Sequence, residues 1–330
     1  MAPSGEQVAT QKAERVGTAI ALDAIEMNIR RILCPTDFSE TSAHAAAEAA
    51  AIAGYYGAAI TALHVVQPPM DANLGVESLD SLRQQTAAFF GVATTAGLSV
   101  DALIEVGLPV RHILDRAASV SADLLVMGTH GASGFEHLVL GSVAEKVLRK
   151  VRCPVLTVPP RVATRSPLPF RRLLCATDFS AASASAVRFA LSLADESDAC
   201  LTLLHVLEWP WHEPPQPSID ALPPEQAFAL GMFRRESEEC ARKQLESMIP
   251  PTQSRVRAAV VSGTPYEQVL GAAASESVDL IVLGVGRRSA LDLAFLGSTT
   301  NHVVRAARCP VLTLRDREVE VQRDTQRVER

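Results

Sequence analysis

Short continuous apolar runs alternate along this chain with segments in which apolar residues recur at helical spacing. In the first half, the runs predict strands at Arg31–Cys34, Ile60–Val66, Val100–Val106, Leu124–Met127 and Val155–Val158. The helical spacing between them predicts helices from Ser39 to Gly57, over 76–96, from Pro109 to about Ser121 and over Ser142–Lys150. Ser39, and Ser180 at the matching place in the second half, are suited to be helix N-caps.

Strands that are apolar throughout are typical of a parallel sheet with helices on both faces. Strands and helices alternate in each half of the chain, and crossovers between parallel strands are right-handed. The pattern therefore predicts an α/β fold with two tandem, doubly wound, five-stranded parallel sheets, Rossmann-like, each with strand order 3-2-1-4-5.

An internal repeat supports two domains. The segment Cys34–Ser39 is echoed by Cys175–Ser180, Asp123–Gly128 by Asp279–Gly284, and Arg152–Thr157 by Arg308–Thr313. The predicted organisation is an N-terminal extension over 1–28, a first domain over 29–160, a linker over 161–170, a second domain over 171–315 and a charged tail over 316–330. The offset between the copies grows from 141 to 156, which indicates about 15 inserted residues. We place this insertion in the Pro-rich stretch near 209–224, which is predicted to be irregular.

Composition narrows the possible partners and the location. The formal charge of −6 and the lack of a basic block argue against general binding of nucleic acid. No apolar run approaches the roughly 20 residues that a membrane helix needs, and charges interrupt the N-terminal apolar residues where a secretion signal would have its core. We therefore expect no nucleic acid, no membrane and a cytoplasmic location. The six cysteines lack metal-binding spacing, and the four that form repeat-equivalent pairs, Cys34 with Cys175 and Cys153 with Cys309, are interpreted as core residues rather than redox groups.

Two marked loops should meet where the winding of the first sheet reverses. Strand one ends in Pro35-Thr36-Asp37, and strand four ends in Gly128-Thr129-His130-Gly131, with Gly141-Ser142 opening the next helix. The glycines predict positive φ angles and close approach of a ligand to the backbone. Free amides at the helix start favour an anion, and a phosphate chain is the natural guest. The pattern is neither a Walker loop nor a dinucleotide fingerprint.

The spacing Gly128-x-x-Gly131, nine residues, Gly141-Ser142 resembles the nucleotide-binding signature of universal stress proteins. Pro-x-Asp-x-Ser from Pro35, Leu-His-Val around His64 and the closing Cys-Pro-Val-Leu are similar too, and the resemblance covers roughly 30–158 and 171–314. It implies a tandem protein that binds ATP (AMP and ADP are alternatives), with Mg²⁺ or Mn²⁺ held through the phosphates, and that regulates a stress response through an unknown protein partner. It also implies that Asp37 lies by adenine and ribose, that the backbone of Val65 pairs with the adenine edge, and that the glycine loops hold ribose and phosphates.

The predicted binding residues differ between the two halves. The first site comprises Pro35, Thr36, Asp37, Val65, Met127, Gly128, His130, Gly131, Gly141, Ser142 and Val143. The second comprises Thr177, Asp178, Val206, Gly284, Gly286, Arg287, Gly297 and Ser298. Arg287 stands where the first copy has Gly131, which costs about 1–2 kcal/mol if that position needs positive φ. We therefore expect the second site to bind ATP more weakly, differently or not at all. No catalytic residue and no protein-ligated metal are predicted.

Other interpretations stay open at this point. The chain could be a slow ATP hydrolase or a transferase, or a scaffold with vestigial sites. Asp37 could be no more than a helix cap, Asp123 and Asp279 are expected to be turn residues, and His64 and His205 are expected to be hydrogen-bonded histidines of the core. The last strands of the copies, Val155–Val158 and Val311–Leu314, would leave open edges unless they pair. We expect them to pair antiparallel, which gives an internal pseudo-dimer about a two-fold axis, and a homodimer of whole chains is left open.

Overall fold

A computed structural model describes residues 28–67, 76–129, 140–160, 168–208, 223–286 and 296–315. Its strands are β1 (Arg31–Thr36), β2 (Ala59–Val66), β3 (Val100–Val106), β4 (Leu124–Gly128), β5 (Val155–Val158), β6 (Arg172–Ala176), β7 (Cys200–Leu207), β8 (Val256–Ser262), β9 (Leu280–Val285) and β10 (Val311–Arg315). Its helices are α1 (Glu40–Tyr56), α2 (Val76–Phe89), α3 (Gly91–Thr95), α4 (Pro109–Ser119), α5 (Ser142–Lys150), α6 (Ala181–Ser197), α7 (Pro224–Ser247), α8 (Pro265–Ser275) and α9 (Ser298–Ala306).

The strands form one continuous sheet in the order β3-β2-β1-β4-β5-β10-β9-β6-β7-β8. Each half has the order 3-2-1-4-5 and is parallel. The halves join through β5 and β10, which run antiparallel with Leu156 opposite Leu312. At this seam the Thr157 hydroxyl donates to the Val311 carbonyl over 3.1 Å, and Thr313 donates to Val155 over 3.3 Å. The α/β fold and the antiparallel pairing of the last strands are confirmed. Because β5 and β10 hydrogen-bond to each other at this seam, the two five-stranded sheets form one continuous ten-stranded sheet.

Alternate residues of each strand point into two separate cores. On one face Ile32 and Cys34 pack with α1, α6 and their surroundings, and on the other Leu33 packs with residues of α4 and α5. Cys34 and Cys175 are fully buried in repeat-equivalent places, and burial raises the pKa of both thiols. A thiol that stays protonated is a poor nucleophile, so these two behave as the expected core residues.

The helix ends follow from local sequence with two exceptions. Ser39 and Ser180 cap α1 and α6 by accepting from the N–H groups of Ser42 and Ser183, as predicted. The predicted helix over 76–96 is interrupted at Phe90, which gives α2 and α3. The insertion was expected to be irregular up to Pro224, but Pro224 begins α7, because proline loses nothing at the first turn of a helix. Residues 209–222 lie outside the described residues.

Asp123 and Asp279, expected to be turn residues, also accept backbone hydrogen bonds from a neighbouring strand. The Asp123 carboxylate accepts the backbone N–H groups of Arg30 and Arg31, both at 3.0 Å. Asp279 does the same for Arg171 at 2.8 Å and Arg172 at 3.0 Å. Each carboxylate therefore ties the start of a fourth strand to the start of the first strand, which fixes the two strands whose opposite ends form the candidate site.

Candidate functional site

The carboxyl ends of β1 and β4 meet at the point where the strand order reverses in the first half. β1 pairs with β2 on one side and with β4 on the other. The Gly141 N–H donates to the Thr129 carbonyl over 2.8 Å, which brings the start of α5 to the end of β4. Asp37, Gly128 and the first turn of α5 therefore border one crevice, the place where open α/β sheets bind ligands.

A tight turn connects the end of β1 to the start of α1. The Thr36 hydroxyl accepts the Phe38 N–H at 3.0 Å, and Asp37 accepts the Ser39 N–H at 3.1 Å. Between them Phe38 has a φ of 63°, a left-handed conformation that is unfavourable for a residue with a Cβ. The second half repeats the turn, with Phe179 at a φ of 61°. Backbone strain of this kind persists where the surroundings hold it, as they do at many binding sites.

His64 supports this turn from the neighbouring strand. Its Nδ1–H donates to the Thr36 carbonyl over 2.9 Å, and its ring lies 4.4 Å from the Phe38 ring. His205 makes the same contacts with Thr177, at 2.8 Å, and with Phe179, at 4.3 Å. Both half-buried rings thus have a structural task, in agreement with the hydrogen-bonded interpretation. His64 also fixes the position of Val65, the next residue of β2.

Gly128 and Gly141 do not have the positive φ angles that the sequence suggested. Among the described residues, the glycines with positive φ are Gly57, Gly97, Gly107 and Gly263, and Gly141 has a φ of −56°. Gly128 is required for a different reason, because a Cβ there would lie 2.8 Å from Thr41 Cγ2 and 3.1 Å from the Thr41 backbone. The expectation was wrong for Gly128 and Gly141: Gly128 serves close packing of α1 against β4.

No side chain caps the start of α5. Gly141 is its N-cap and makes no side-chain cap hydrogen bond, so the cap leaves the first-turn amides to other partners. Gly297 is likewise the N-cap of α9 without a side-chain cap hydrogen bond, and a Cβ built on Gly297 would meet no atom within 4 Å. Both helix starts present backbone N–H groups that no side chain caps, an arrangement that suits a phosphate.

The structure brings most predicted residues of the first site together. Pro35, Thr36, Asp37, Val65, Gly128, Gly141, Ser142 and Val143 lie on the strand ends and helix start just described, and the Met127 side chain is packed in the core. His130 and Gly131 lie outside the described residues. The second half arranges Thr177, Asp178, Val206, Gly284, Gly286, Gly297 and Ser298 on the equivalent elements, and Arg287 lies outside the described residues.

The carboxylate at the second crevice is held in its charged form. Burial favours a higher pKa for Asp178, but hydrogen bonds from Ser180 and Ser183 outweigh burial and lower it. The Ser180 hydroxyl donates to this carboxylate over 2.5 Å. Asp178 is therefore an ionised acceptor at neutral pH.

Sequence reasoning missed a charged cluster next to the first crevice. Glu105, on β3 beside Val65, accepts Nδ1–H of His112 at 2.5 Å and Nε–H of Arg116 at 2.9 Å. The second half has Val261, Gln268 and Ala272 at these positions. The sequence did contain a signal for this cluster. Glu105 is an acidic residue inside an apolar strand, and the basic residues His112 and Arg116 follow it on one face of the next helix. A carboxylate in such a place is expected to form an ion pair.

Among the described residues no trio of His, Cys, Asp or Glu is arranged to bind a metal ion, and no helix has the length and apolarity to cross a bilayer.

Known proteins share both the sequence pattern and the fold. The universal stress protein family matches residues 28–159 and again 169–315. A universal stress protein of Mycolicibacterium smegmatis is 28% identical over 308 residues, which cover 87% of this chain and 97% of that protein. The crystal structure of a universal stress protein from Archaeoglobus fulgidus has the same fold, with 23% identity, a TM-score of 0.59 and coverage of 88% of this chain and 98% of that one. A universal stress protein solved in complex with cAMP is 28% identical, covers 40% of this chain and 98% of its own, and has a TM-score of 0.33. Because the family matches both halves, this chain belongs to the universal stress protein family and carries two of its domains in tandem.

Proposed function

We propose that the protein binds adenine nucleotides, with ATP held mainly in the first domain, and that occupancy regulates its contact with a protein partner in a stress response. The observation that carries this proposal is the start of α5, which has no side-chain cap and is hydrogen-bonded through Gly141 to the end of β4. Backbone amides at such a helix start fit a phosphate chain.

The remaining residues of the crevice suit the rest of the nucleotide. Asp37 lies across the crevice from α5, where its carboxylate can accept from ribose hydroxyls. The carboxyl end of β2 at Val65 offers backbone groups to the edge of a base. Mg²⁺ or Mn²⁺ would be held through phosphate oxygens, as these ions commonly are. The family includes a member solved with cAMP, which supports the choice of an adenine nucleotide. We keep the cytoplasm as the proposed location.

We propose a weaker second site because of Arg287. The described part of the second crevice keeps an ionised Asp178 and an open Gly297. The difference between the halves is therefore concentrated at the position where Arg287 replaces Gly131. An added side chain there takes phosphate space, although its charge can itself attract a phosphate.

The test uses two matched substitutions that the free protein can accept. Gly141→Val and Gly297→Val each place a side chain at an ordinary φ, −56° and −51°, so both variants should fold with melting temperatures near that of the unchanged protein. ATP binding, measured by calorimetry with Mg²⁺, should weaken at least tenfold in Gly141→Val and change little at the main site in Gly297→Val. Unchanged affinity in a folded Gly141→Val protein would rule the proposed site out. Rapid ATP turnover that is lost in this variant would instead favour a hydrolase.

A further inference from the structure

The first half of α7 carries large apolar side chains on a face that its own domain does not cover. Phe228 is 73% exposed, Met232 is 49% exposed and Phe233 is 58% exposed. These three residues lie within two turns of one helix, so they form a group rather than isolated positions. Grouped apolar side chains on a surface mark a contact with another molecule more often than scattered ones do. This part of α7 is therefore a candidate interaction surface.

A different face of α7 attaches the helix to its domain. Ala241 and Leu245 are buried. The same stripe continues toward the start of the helix through partly buried residues at helical spacing, which are Ala227, Leu230, Arg234 and Ser237. Since each residue of a helix advances about 100° around the axis, Phe228 and Met232 lie on the opposite side from this stripe. The exposed apolar residues are therefore not needed to hold α7 on the sheet.

The exposed face has the spacing of a coiled-coil contact. Its residues follow one another at intervals of three, four and three positions, and we call them the outer stripe: Glu225, Phe228, Met232 and Arg235. This alternation is that of the a and d positions that face a partner helix. The next position of the same kind is Glu239, so the apolar part of the outer stripe ends at Met232. Two apolar residues are thus bracketed by an acid on one side and a base on the other.

The outer stripe is complementary to a reversed copy of itself. When two α7 helices run antiparallel with position 230 at a two-fold axis, Phe228 lies opposite Met232 of the partner subunit. In the same register Glu225 lies opposite Arg235 of the partner subunit. The two-fold axis repeats each contact, which gives two apolar layers flanked by two ion pairs. Within the described part of the chain, neither the Glu225 nor the Arg235 side chain has a hydrogen-bond or ion-pair partner of its own.

Gly231 favours the close approach of a second helix. Glycine in a helix interior is less stable than alanine, and a Cβ built on Gly231 would meet no atom within 4 Å. Packing within the described residues therefore does not require glycine at this position. In the antiparallel register Gly231 lies opposite Ala229 of the partner subunit, beside the outer stripe. Two small residues at that point allow the helix axes to come close together.

We propose that α7 is a dimerisation helix, and that its first three turns pair antiparallel with the same turns of a second copy of this chain. A contact between two short helices is at the lower end of interface sizes, so the dimer should dissociate at about micromolar concentrations. The proposal does not depend on nucleotide binding, because α7 contributes no residue to either crevice. Gly141→Val should therefore dimerise as the unchanged protein does.

The experiment measures the mass of the full chain by sedimentation over a concentration series. A reducing buffer is used because Cys200 and Cys240 are exposed and could link chains by oxidation. We expect a dimer at about 100 µM that dissociates on dilution, and a dissociation constant raised at least about tenfold in Phe228→Asp. Val92→Asp, at a position of α3 that is 66% exposed, is the control and should leave the dissociation constant unchanged.

Two results would overturn the proposal. One is a monomer at about 100 µM, and in that case a lower melting temperature of Phe228→Asp would indicate that the apolar face is covered within its own chain. The other is a dimer that Phe228→Asp leaves intact, because such a dimer would be formed by another surface.

A charge exchange tests the antiparallel register. Glu225→Arg and Arg235→Glu should each weaken the dimer, because each places like charges opposite one another. The variant that carries both substitutions should recover the dissociation constant of the unchanged protein to within about threefold, since opposite charges face each other again. Positions 225 and 235 are about 15 Å apart along one helix, so this recovery requires a contact between chains. A double variant that is no stronger a dimer than either single variant would contradict the register.

Discussion

The ring of Phe38 lies 4.4 Å from the ring of His64, although Phe38 must adopt a φ of 63° to reach it. The same pair recurs as Phe179 and His205 at 4.3 Å. A left-handed residue with a Cβ costs about 1–2 kcal/mol. In both domains that cost is offset by ring packing and by the histidine's hydrogen bond to the preceding threonine carbonyl. The turn therefore holds Asp37 and Asp178 in a defined position at their crevices.

This arrangement predicts an unusual order of stability at position 38. Phe38→Ala loses half-buried ring contacts and keeps the strained φ, so the free energy of unfolding should fall by about 2 kcal/mol. Phe38→Gly loses the same contacts but relieves the strain, and it should be about 1 kcal/mol more stable than Phe38→Ala. Urea unfolding measures both. Ala43→Gly, on the exposed face of α1, is the control, and it should lower the free energy of unfolding by about 1 kcal/mol. If Phe38→Gly is also less stable than Phe38→Ala, the strain argument is wrong.

Gly128, the last residue of β4, and Gly284, the residue before the last of β9, should tolerate alanine unequally. A Cβ on Gly128 meets the end of a side chain, Thr41 Cγ2, at 2.8 Å, which can move. A Cβ on Gly284 meets the Ala182 carbonyl oxygen at 2.4 Å and its carbon at 2.6 Å, which are backbone. Overpacking costs about 1–3 kcal/mol, and we expect Gly128→Ala at the lower end and Gly284→Ala at or above the upper end. Thermal unfolding of the two variants decides the order, and equal losses would contradict it.

The fold could be predicted from the sequence because the internal repeat and the apolar runs indicate the same strands and helices in both halves. Strands such as Leu124–Met127 are apolar throughout, which favours a parallel sheet, and the second copy shows the same pattern. The seam between β5 and β10 followed from a general rule, since both strands would otherwise expose an edge. The break at Phe90 had no comparable signal, because the helical spacing continues across it.

The geometry of the candidate site could be predicted from the sequence only in part, for a physical reason. Glycine in a loop can mean positive φ, close packing or open space, and sequence does not distinguish among these. Gly128 turned out to serve close packing, and Gly141 has an ordinary φ of −56° at a helix start. The strain at Phe38 was invisible because phenylalanine gives no sign of a left-handed backbone. The cluster around Glu105 depends on three residues that only the fold brings together.

Alkaline pH should weaken the contact between α1 and α6. Burial raises the pKa of the Tyr56 hydroxyl, and the charge of Glu196 in the other domain raises it further. The unfolded chain releases this proton near pH 10, whereas the folded protein retains it. Stability from this group is therefore complete below pH 10 and is lost as the pH rises through the folded-state pKa.

Tyr56→Phe checks this contribution. At pH 8 the variant should lose about 1 kcal/mol with the hydrogen bond to Glu196. The loss should shrink in urea titrations carried out between pH 10 and 11, because phenylalanine does not ionise. Tyr55→Phe is the control, since Tyr55 is 43% exposed. A loss that stays constant with pH would show that the two domains do not hold the Tyr56 proton.

The cluster beside Val65 should give the first domain an acid dependence that the equivalent positions of the second domain lack. Burial alone would raise the pKa of Glu105, but hydrogen bonds from Arg116 and His112 outweigh burial and lower it. The stabilisation is therefore complete above the ordinary glutamate pKa of about 4.3 and is lost as the pH falls through the lower folded-state value. Glu105→Gln should cost about 1–2 kcal/mol at pH 7, and the difference from the unchanged protein should close below pH 4. Val261→Gln, at the equivalent place in the second domain, should show a pH-independent change; a parallel acid dependence in both variants would mean that the Glu105 cluster is not its source.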